Sequence, residues 1–479
     1  MKEISMDRAA VIFSIVFFLL YFSTLSISLD EEDSVHFALA LREFNVTKYQ
    51  PHPPGFPVYI ALGMFFNATL GNEVLALTIM SALFGALTVY VIYMLFRDIS
   101  GREIAFMSSV LTALTPLFWL NSVKALSDMA GLFFVLLSML FIHRYFRKAL
   151  ARDFYLGTLF TGIAAGVRIH ALVILLPILA YTAYLKRKNF QTHLRGSMIL
   201  AFSILVWLVP LVLVTGVGEY LSVSGEQYAA RVDKPYYSLL GSESTPGVLA
   251  TRAFGFLYYF LLGGYGVNLA GLGVFSILLL VFTGFLAASF LKKVNIRERV
   301  ILFFVSGVIP YLLVVFIMLP PFSPRYFLIL VPMVSLALAH ALWNFKKIRI
   351  RYALFGFLVF LVASHSVFLA LEIRSNPSPP VQLIEYVNEN YGPDTIIALS
   401  GFAGKYFEYH GSDLEALSLS QIDCNLIEGL LEEHRTVLSV SGNQECSNLG
   451  PVEVAVFSRD PRVHIKRSRI TLYEFLLEN

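Results

Sequence analysis

Long apolar runs recur along this chain, and they constrain its fold more than any other feature. Each run is long enough to cross a hydrocarbon layer of about 30 Å as a helix. About eleven can be counted, at roughly 9–28, 74–96, 104–121, 128–146, 155–169, 171–185, 197–217, 271–291, 300–319, 326–344 and 352–372. With 57% hydrophobic and only 14% charged residues, the chain is predicted to be mainly α-helical and to cross a membrane many times.

Basic residues predict how the chain is threaded, because cytoplasmic loops are enriched in lysine and arginine. They precede the first span and then occupy alternate connections, near 97–102, 144–152, 186–195, 292–299 and 346–351. We therefore expect a cytoplasmic N-terminus in the cell membrane, or in the endoplasmic reticulum of a eukaryote. The outer side then carries everything after 372 and the connections 29–73, 122–127, 218–252 and 320–325. The first span resembles a signal sequence, but we favour an uncleaved anchor because an acidic cluster follows it directly.

Residues 376–479 differ in character from the apolar region 1–375. A proline-rich linker at 376–380 precedes a helical pattern at 381–390, and another helix is predicted at 422–433. Short strand-like runs occur at 395–399, 436–440, 452–457 and 470–472. We predict a small soluble α/β domain on the outer side. Its two cysteines, Cys424 and Cys446, are compatible with a disulfide and equally with two unrelated thiols.

The first outer connection begins with four acidic residues, Asp30–Asp33. Acids at the mouth of an apolar bundle are costly unless they are solvated or used. A capping box at Ser28–Glu31, opening a helix on the membrane surface, would account for part of the cluster, because acids stabilise a helix N-terminus. Capping does not account for Asp33, which shares a helical face with His36. Asp33 is therefore a candidate for a functional role.

The same connection contains the rigid turn His52-Pro53-Pro54-Gly55-Phe56-Pro57. Prolines fix φ and favour extended conformations before them, while Gly55 relieves the crowding. The turn is explained either as a stiff return of the chain into the membrane or as a backbone held close to a ligand. In the second case His52 offers a hydrogen-bond donor to that ligand.

Asp33-Ser-Val-His36-Phe37 followed by His52-Pro53-Pro54-Gly55 resembles the first luminal loop of the protein O-mannosyltransferases. The segment is still closer to membrane O-glycosyltransferases with Asp-Ser-Gly-Glu and His-Pro-Pro-Gly-Tyr-Pro motifs. Both groups belong to the GT-C superfamily, whose members transfer a sugar from a polyprenyl-phosphate carrier on the outer or luminal side. The resemblance implies a GT-C fold, with Asp33 as catalytic base and His36, His52 and Gly55 near acceptor or donor. The chain departs from the mannosyltransferases at Ser34, where they have glutamate.

Further candidates lie outside this loop. Asp128 opens the fourth span, where GT-C enzymes commonly carry a second acid, although Ser127 or Asp128 would also serve as a helix cap. Arg325 starts the tenth span and resembles an Arg-Tyr element of bacterial members that would bind the carrier phosphate bidentately. Lys124 and Arg168 are further candidates for that phosphate; for Arg168 the alternative is a side chain that snorkels to the membrane surface.

The long outer connection 218–252 carries four further polar or aromatic side chains whose role the sequence leaves open. Its Tyr228, Arg231, Tyr236 and Tyr237 either cover an acceptor or are simply solvated. The net charge of +3 gives no indication of a nucleic-acid partner, and we predict none.

No nucleotide-binding, zinc-binding or Ser-His-Asp pattern occurs in the sequence. We therefore predict no cofactor and no metal site, with a divalent ion left open. The predicted activity is transfer of a mannose-like hexose, with inversion, from a polyprenyl-phosphate sugar to a hydroxyl of a protein, glycan or lipid. The alternative is a multi-pass transporter or lipid-linked sugar flippase. Transporters tend to place polar groups near the bilayer midplane, whereas these candidates are predicted at one membrane face.

Overall fold

A computed structural model describes residues 2–232, 238–241, 245–261, 284, 298–320, 323–419, 421, 423–433, 435–441, 449–463 and 468–477. The span predicted at 271–291, together with Tyr236, Tyr237 and Cys446, lies outside the described residues. Cys424 is disulfide-bonded.

The membrane region is built from helices, with bounds that follow the apolar runs of the sequence. They are α1 (Lys2–Ser23), α2 (Glu32–Arg42), α3 (Pro57–Leu70), α4 (Glu73–Ser100), α5 (Arg102–Leu114), α6 (Pro116–Val123), α7 (Asp128–Lys148), α8 (Ala151–Val167), α9 (Ala171–Leu185), α10 (Phe190–Thr215), α11 (Val217–Val232), α12 (Pro246–Leu261), α13 (Glu298–Met318), α14 (Leu330–Trp343) and α15 (Ile348–Ser375). The prediction of a mainly α-helical membrane protein is confirmed.

Six of the described helices are individually long and apolar enough to cross a bilayer: α1, α4, α7, α10, α13 and α15. A seventh span is obtained when α5 and α6 are joined, although they are bent by 61° where Pro116 interrupts the run. Helices α3, α9 and α14 are apolar but shorter. The count of about eleven spans therefore stays a prediction.

Small residues let neighbouring helices approach closely, as is common between membrane helices. The contact between α8 and α10 shows this most directly. A Cβ on Gly162 of α8 would lie 1.8 Å from Ser203 Oγ, and one on Gly196 of α10 would lie 2.3 Å from the Phe154 ring. Larger residues at these two positions would push the helices apart.

The C-terminal region is a five-stranded mixed sheet with helices, and the prediction of a small α/β domain is confirmed. Its elements are α16 (Pro379–Asn390), β1 (Thr395–Leu399), α17 (Gly401–His410), β2 (Glu415–Ser418), α18 (Cys424–Glu432), β3 (Thr436–Ser439), β4 (Leu449–Ser458) and β5 (Arg469–Leu477). The strand order is β2-β1-β3-β5-β4, with β1 parallel to β2 and β3, and β5 antiparallel to β3 and β4. Helix α17 and strand β2 were not predicted.

This C-terminal sheet domain packs directly onto the first outer connection. Ser378, in the segment expected to be a linker, is buried: its backbone N–H donates to Ser28 Oγ at 3.1 Å, and its hydroxyl donates to Leu29 O at 3.0 Å. Helix α17 lies against α2, and Arg42 of α2 donates to the carbonyl of Tyr409. A boundary near residue 376 stays a prediction, but the two regions share one apolar core.

Candidate active site

The acidic cluster does not form the predicted capping box. Helix α2 begins at Glu32, and its cap residue Glu31 is extended and makes no side-chain capping bond. Ser28 accepts a hydrogen bond from Ser378 instead. The capping interpretation is therefore wrong, because the side chains expected to cap α2 are used in contacts with other parts of the chain. Residues 34–41 are also buried, so α2 does not lie free on the membrane surface.

Asp30 forms a buried ion pair with Arg459 of the C-terminal domain. Both side chains are only 1% exposed. The same guanidinium donates to the carbonyl of Ile373 at 2.8 Å, near the end of α15. Arg459 therefore joins three parts of the molecule: the start of the acidic cluster, the last membrane helix and the sheet domain.

Asp33, in the first turn of α2, forms an ion pair of a different kind. Its Oδ2 lies 2.7 Å from a guanidinium nitrogen of Arg325, which is held in a short 3₁₀ turn at Pro324–Phe327. The two side chains remain 24% and 20% exposed. The structure thus brings the predicted base and the predicted phosphate-binding arginine into direct contact.

Two histidines complete the surroundings of Asp33. His36 Nδ1 and His52 Nδ1 are 3.2 Å apart, and His52 Nε2 lies 3.8 Å from Asp33 Oδ1. Burial lowers the pKa of His36, and it lowers the pKa of His52 to about 3, so both rings are neutral at physiological pH. In a neutral pair one Nδ1 donates and the other accepts. We assign the donor to His36, because His52 then carries its proton on Nε2, facing Asp33.

The charge state of Asp33 is set by its cationic neighbour. Burial raises the pKa of the Asp33 carboxyl, but the Arg325 guanidinium lowers it by more. That pKa therefore lies well below its usual range, and Asp33 is a carboxylate at neutral pH. It is available to accept a proton, although Arg325 weakens its basicity while the pair is intact.

Asp33, His36 and His52 also offer one carboxylate oxygen and two imidazole nitrogens within 4.8 Å of one another. This donor set is one that zinc and similar ions use. Two observations weigh against a metal there. Arg325 already places a cation 2.7 Å from Asp33, and the facing Nδ1 atoms are engaged with each other.

The proline turn after these residues is held by its own backbone and by α11. Gly55 has φ +95°, a conformation that favours glycine, and its N–H donates to His52 O at 3.0 Å. A Cβ at Gly55 would lie 2.9 Å from Leu211 Cδ1. Gln227 of α11 donates to Pro53 O at 2.9 Å and accepts from Arg231 at 3.2 Å. The turn therefore positions His52 and does not merely return the chain to the membrane.

A second ion pair lies beside the first. Asp128 Oδ2 and an Arg168 nitrogen are 2.7 Å apart, and Arg168 also donates to Ser127 Oγ at 3.2 Å. Helix α7 has Ser127 as its cap residue but no side-chain capping bond, so the capping alternative is not what the structure shows. Arg168 points into the protein rather than snorkelling, since its side chain is 16% exposed.

Arg168 and Arg325 line one cleft of about 470 Å³, counting space open to solvent. Asp128, His170 and Tyr311 share its polar part, and the hydroxyl of Tyr311 donates to Tyr326 O at 2.9 Å. Burial and the cations Arg168, Arg231 and Arg325 lower the pKa of His170 to about 3. The remaining wall is apolar, with Leu132, Val135 and Ile174. The cleft thus combines two arginines with an apolar channel.

Lys124 is not part of this cleft. Its ammonium group lies 3.4 Å from Glu31 Oε1 and donates to the carbonyl of Val463 at 3.2 Å. Like Arg459, it holds the C-terminal domain against the acidic cluster. The structure therefore brings six of the predicted site residues together around Asp33 and the cleft, namely His36, His52, Gly55, Asp128, Arg168 and Arg325, and leaves Lys124 outside.

Two contacts were missed from the sequence. Arg459 lies in a stretch with no motif, so nothing marked it as a partner of Asp30. The other is between α11 and the proline turn, which Gln227 contacts at Pro53 while Arg231 donates to Gln227. Whether this part of the chain covers an acceptor or is solvated stays open. Tyr228 is 53% exposed.

Part of the chain matches a known protein family. Residues 51–213 match the model of a family described as dolichyl-phosphate-mannose-protein mannosyltransferase. That range contains His52, Gly55, Asp128 and Arg168 but neither Asp33 nor Arg325. No curated protein sequence matches the chain at the threshold applied.

Solved structures show the same architecture at low identity. ArnT from Cupriavidus metallidurans, bound to undecaprenyl phosphate, aligns with 97% of this chain and 97% of its own at a TM-score of 0.57 and 12% identity. Its apo structure aligns over the same shares with a TM-score of 0.60. The Archaeoglobus fulgidus oligosaccharyltransferase, tethered to an acceptor peptide, aligns with 90% of this chain and 69% of its own at 0.52 and 13% identity. At these identities the likeness establishes a shared fold.

Proposed function

The chain has the fold of the GT-C superfamily of membrane glycosyltransferases and resembles the protein O-mannosyltransferases, and we propose that it transfers a sugar from a polyprenyl-phosphate carrier to an acceptor hydroxyl. The observation that carries the proposal is the 2.7 Å contact between Asp33 and Arg325 at the polar end of the cleft. A carboxylate and a guanidinium group that suits a phosphate thereby lie within hydrogen-bond distance of each other. Transfer takes place on the outer side of the membrane.

The cleft fits the carrier phosphate and the start of its lipid. Arg325 and Arg168 supply two planar guanidinium groups, which bind phosphate oxygens bidentately. The apolar wall formed by Leu132, Val135 and Ile174 suits the first isoprene units. The undecaprenyl phosphate named in the ArnT structure supports this class of ligand for the shared fold.

Arg325 is shared between Asp33 and the phosphate, and this sharing links donor binding to base strength. When a phosphate takes up part of the guanidinium, Asp33 loses some of the interaction that depresses its pKa. The carboxylate then becomes a better base at the moment the donor is in place. In the absence of donor, the ion pair keeps Asp33 ionised but weakly basic.

The chemical step is a single displacement. Asp33 accepts the proton of the acceptor hydroxyl while the oxygen forms a bond to the anomeric carbon. The bond from that carbon to the phosphate oxygen breaks on the opposite face, the electron pair leaves with the phosphate, and the anomeric centre is inverted. Arg325 and Arg168 stabilise the leaving charge. His52 Nε2–H faces the other oxygen of the Asp33 carboxylate, Oδ1, at 3.8 Å.

The resemblance to the mannosyltransferases favours a mannose-like hexose as the sugar. The acceptor is a hydroxyl of a protein, glycan or lipid, and it approaches Asp33 beneath α11. Gln227 of α11 contacts the proline turn at Pro53 O, and Arg231 donates to Gln227.

The proposal is tested with the full-length protein in lipid nanodiscs. Radiolabelled polyprenyl-phosphate mannose is offered together with hydroxyl-bearing peptide, glycan and lipid acceptors. We expect label to move to one acceptor class with stoichiometric formation of polyprenyl phosphate, and the Asp33→Asn protein to be nearly inactive. Movement of intact labelled lipid across the bilayer of proteoliposomes, with no transfer to any acceptor, would instead identify a flippase.

A further inference from the structure

A second polar cavity lies at the opposite end of the helix bundle from Asp33. Helix α7 runs from Asp128 at the candidate active site to this cavity, and α4, which packs along α7 from Glu73 onwards, also ends there. At 1.5 Å per residue, the 28 residues of α4 and the 21 residues of α7 correspond to about 42 and 32 Å. The two sites are therefore separated by roughly the thickness of the membrane, and the cavity has no part in the proposed transfer.

The cavity is strongly basic. It is lined by the ends of α4, α5 and α7, which contribute four arginines, one lysine and a single acid: Arg97, Arg102, Arg144, Arg147, Lys148 and Asp98. It measures about 940 Å³, twice the active-site cleft on the same measure. Basic loops are expected wherever the chain faces the cytoplasm. That rule does not require basic residues from three helix ends to surround one concave space.

Two aspartates hold the arginines of the cavity in place. Asp98 lies 3.0 Å from Arg144 and 3.6 Å from Arg97, and its backbone carbonyl accepts from Arg147. Asp7 of α1 lies 3.1 Å from Arg97 and 3.7 Å from Arg102. Among the described residues named here, the cations outnumber the carboxylates by five to two. An arginine carries five N–H donors, so a carboxylate leaves donors for a further anion.

A neighbouring depression places an apolar surface beside the basic cavity. It shares Gly101 and Arg102 with the basic cavity and is lined further by the apolar Met6, Ile104 and Trp343 and by Ser100 and Glu103. Met6 begins the part of α1 that faces away from the protein, where Ile12 is 58% and Ile15 is 56% exposed. A ligand with a phosphate in the basic cavity would therefore have an apolar surface beside it.

We propose that this basic cavity binds the phosphate headgroup of an anionic phospholipid. Its acyl chains would lie along the exposed face of α1. Phosphate esters suit the site because guanidinium groups bind them through two parallel hydrogen bonds. The same phosphate chemistry occurs in soluble phosphates, but only a lipid also uses the apolar surface next to Arg102.

The test measures retention of phosphatidylglycerol by the full-length protein, purified in phosphatidylcholine nanodiscs with a small fraction of the anionic lipid. Arg147→Gln/Lys148→Gln removes two cations from the cavity. Lys346→Gln/Lys347→Gln is the matched control, because it removes two cations from the connection between α14 and α15 without touching the cavity lining. We expect the first variant to lose affinity for phosphatidylglycerol on the order of tenfold, and the second to retain it.

Three results would overturn the proposal. One is an equal loss in both double variants, which would reflect general surface charge. Another is unchanged affinity in Arg147→Gln/Lys148→Gln with an unchanged melting temperature in phosphatidylcholine. The third is displacement of the lipid by millimolar inorganic phosphate, which would assign the site to a soluble ion. Should the double variant fail to fold, Lys148→Gln alone, at an exposed position, is expected to give a smaller loss in the same direction.

Discussion

Two ion pairs arise from one short acidic cluster, and they differ in almost every respect. Asp30 and Arg459 are 1% exposed and enclosed between the membrane helices and the C-terminal domain. Asp33 and Arg325 are 24% and 20% exposed and open into a cleft. If either residue of the enclosed pair changed partner, the other would remain as an unpaired charge in the interior. In the open pair, solvent or a ligand can replace the lost contact. The first therefore belongs to the architecture of the loop, and the second to its proposed chemistry.

The largest effect is expected from breaking the enclosed pair. Arg459→Met leaves the Asp30 carboxylate buried without its cation, which costs about 3–5 kcal/mol of stability. We expect a much lower melting temperature for the purified protein in detergent, measured by thermal unfolding. Asp30→Leu combined with Arg459→Met removes both charges and should recover most of that loss. If Arg459→Met alone were as stable as the unchanged protein, the pair would not hold the two regions together.

The same pair corrects the role first assigned to Asp30. The sequence left Asp30 as a candidate for stabilising the start of α2. In the structure its carboxylate pairs with Arg459, a residue 429 positions later. Asp30→Asn is therefore expected to lower stability rather than to be neutral.

Asp33→Asn should separate chemistry from folding. Asparagine keeps the size of the side chain but cannot act as the base, so we expect turnover to fall on the order of 10²-fold or more. This corresponds to about 2.7 kcal/mol in the activation barrier. The melting temperature should change little, since the side chain stays partly exposed. Near-normal transfer by Asp33→Asn, with loss in Asp128→Asn, would move the base to the second ion pair.

Arg325→Lys tests the shared guanidinium. Lysine preserves the charge but loses the planar fork that binds phosphate oxygens bidentately. We expect the KM for the lipid-linked donor to rise on the order of tenfold, while the dependence on acceptor changes little. Arg168→Lys serves as the comparison. If only Arg168→Lys weakens use of the donor, the phosphate is bound mainly by Arg168.

The smallest effect concerns pH. Arg325 keeps the pKa of Asp33 well below its usual range. In the unchanged protein, kcat/KM for the acceptor should therefore fall little when the pH is lowered to about 4–5. Arg325→Met removes the cation but not the burial, which by itself raises that pKa. The acid limb of the profile should therefore move to higher pH in this variant. An acid limb at the same pH in both proteins would mean that Asp33 is not the group being titrated.

The sequence predicted those parts of the molecule that depend on local pattern. Helices α4, α7 and α15 follow apolar runs, and β1 and α16 follow short periodic stretches, because burial of one face selects each element. Helix α17 was missed because Gly401 and Gly404 weaken its helical pattern. The break between α5 and α6 was missed although Pro116 marks it, since the apolar run continues past it.

The site was predictable only in part, for a physical reason. Asp33, His36 and His52 lie within one motif, so a resemblance could group them. The ion pairs of Asp30 and Asp33 depend on residues far along the chain, and no local pattern selects such partners. The sequence predicted that Arg325 binds phosphate, but its contact with Asp33 is visible only in the folded structure.

The Asp30–Arg459 pair also has a consequence for biosynthesis. The ribosome makes Asp30 early and Arg459 429 residues later, so during synthesis the acidic loop lacks its buried partner. The segment that carries the proposed base can thus reach its final geometry only after the sheet domain has been made and has folded. A chain interrupted before Arg459 would contain all the membrane helices but would lack the partner of Asp30. The conformation of the acidic loop therefore depends on the domain that is synthesised last.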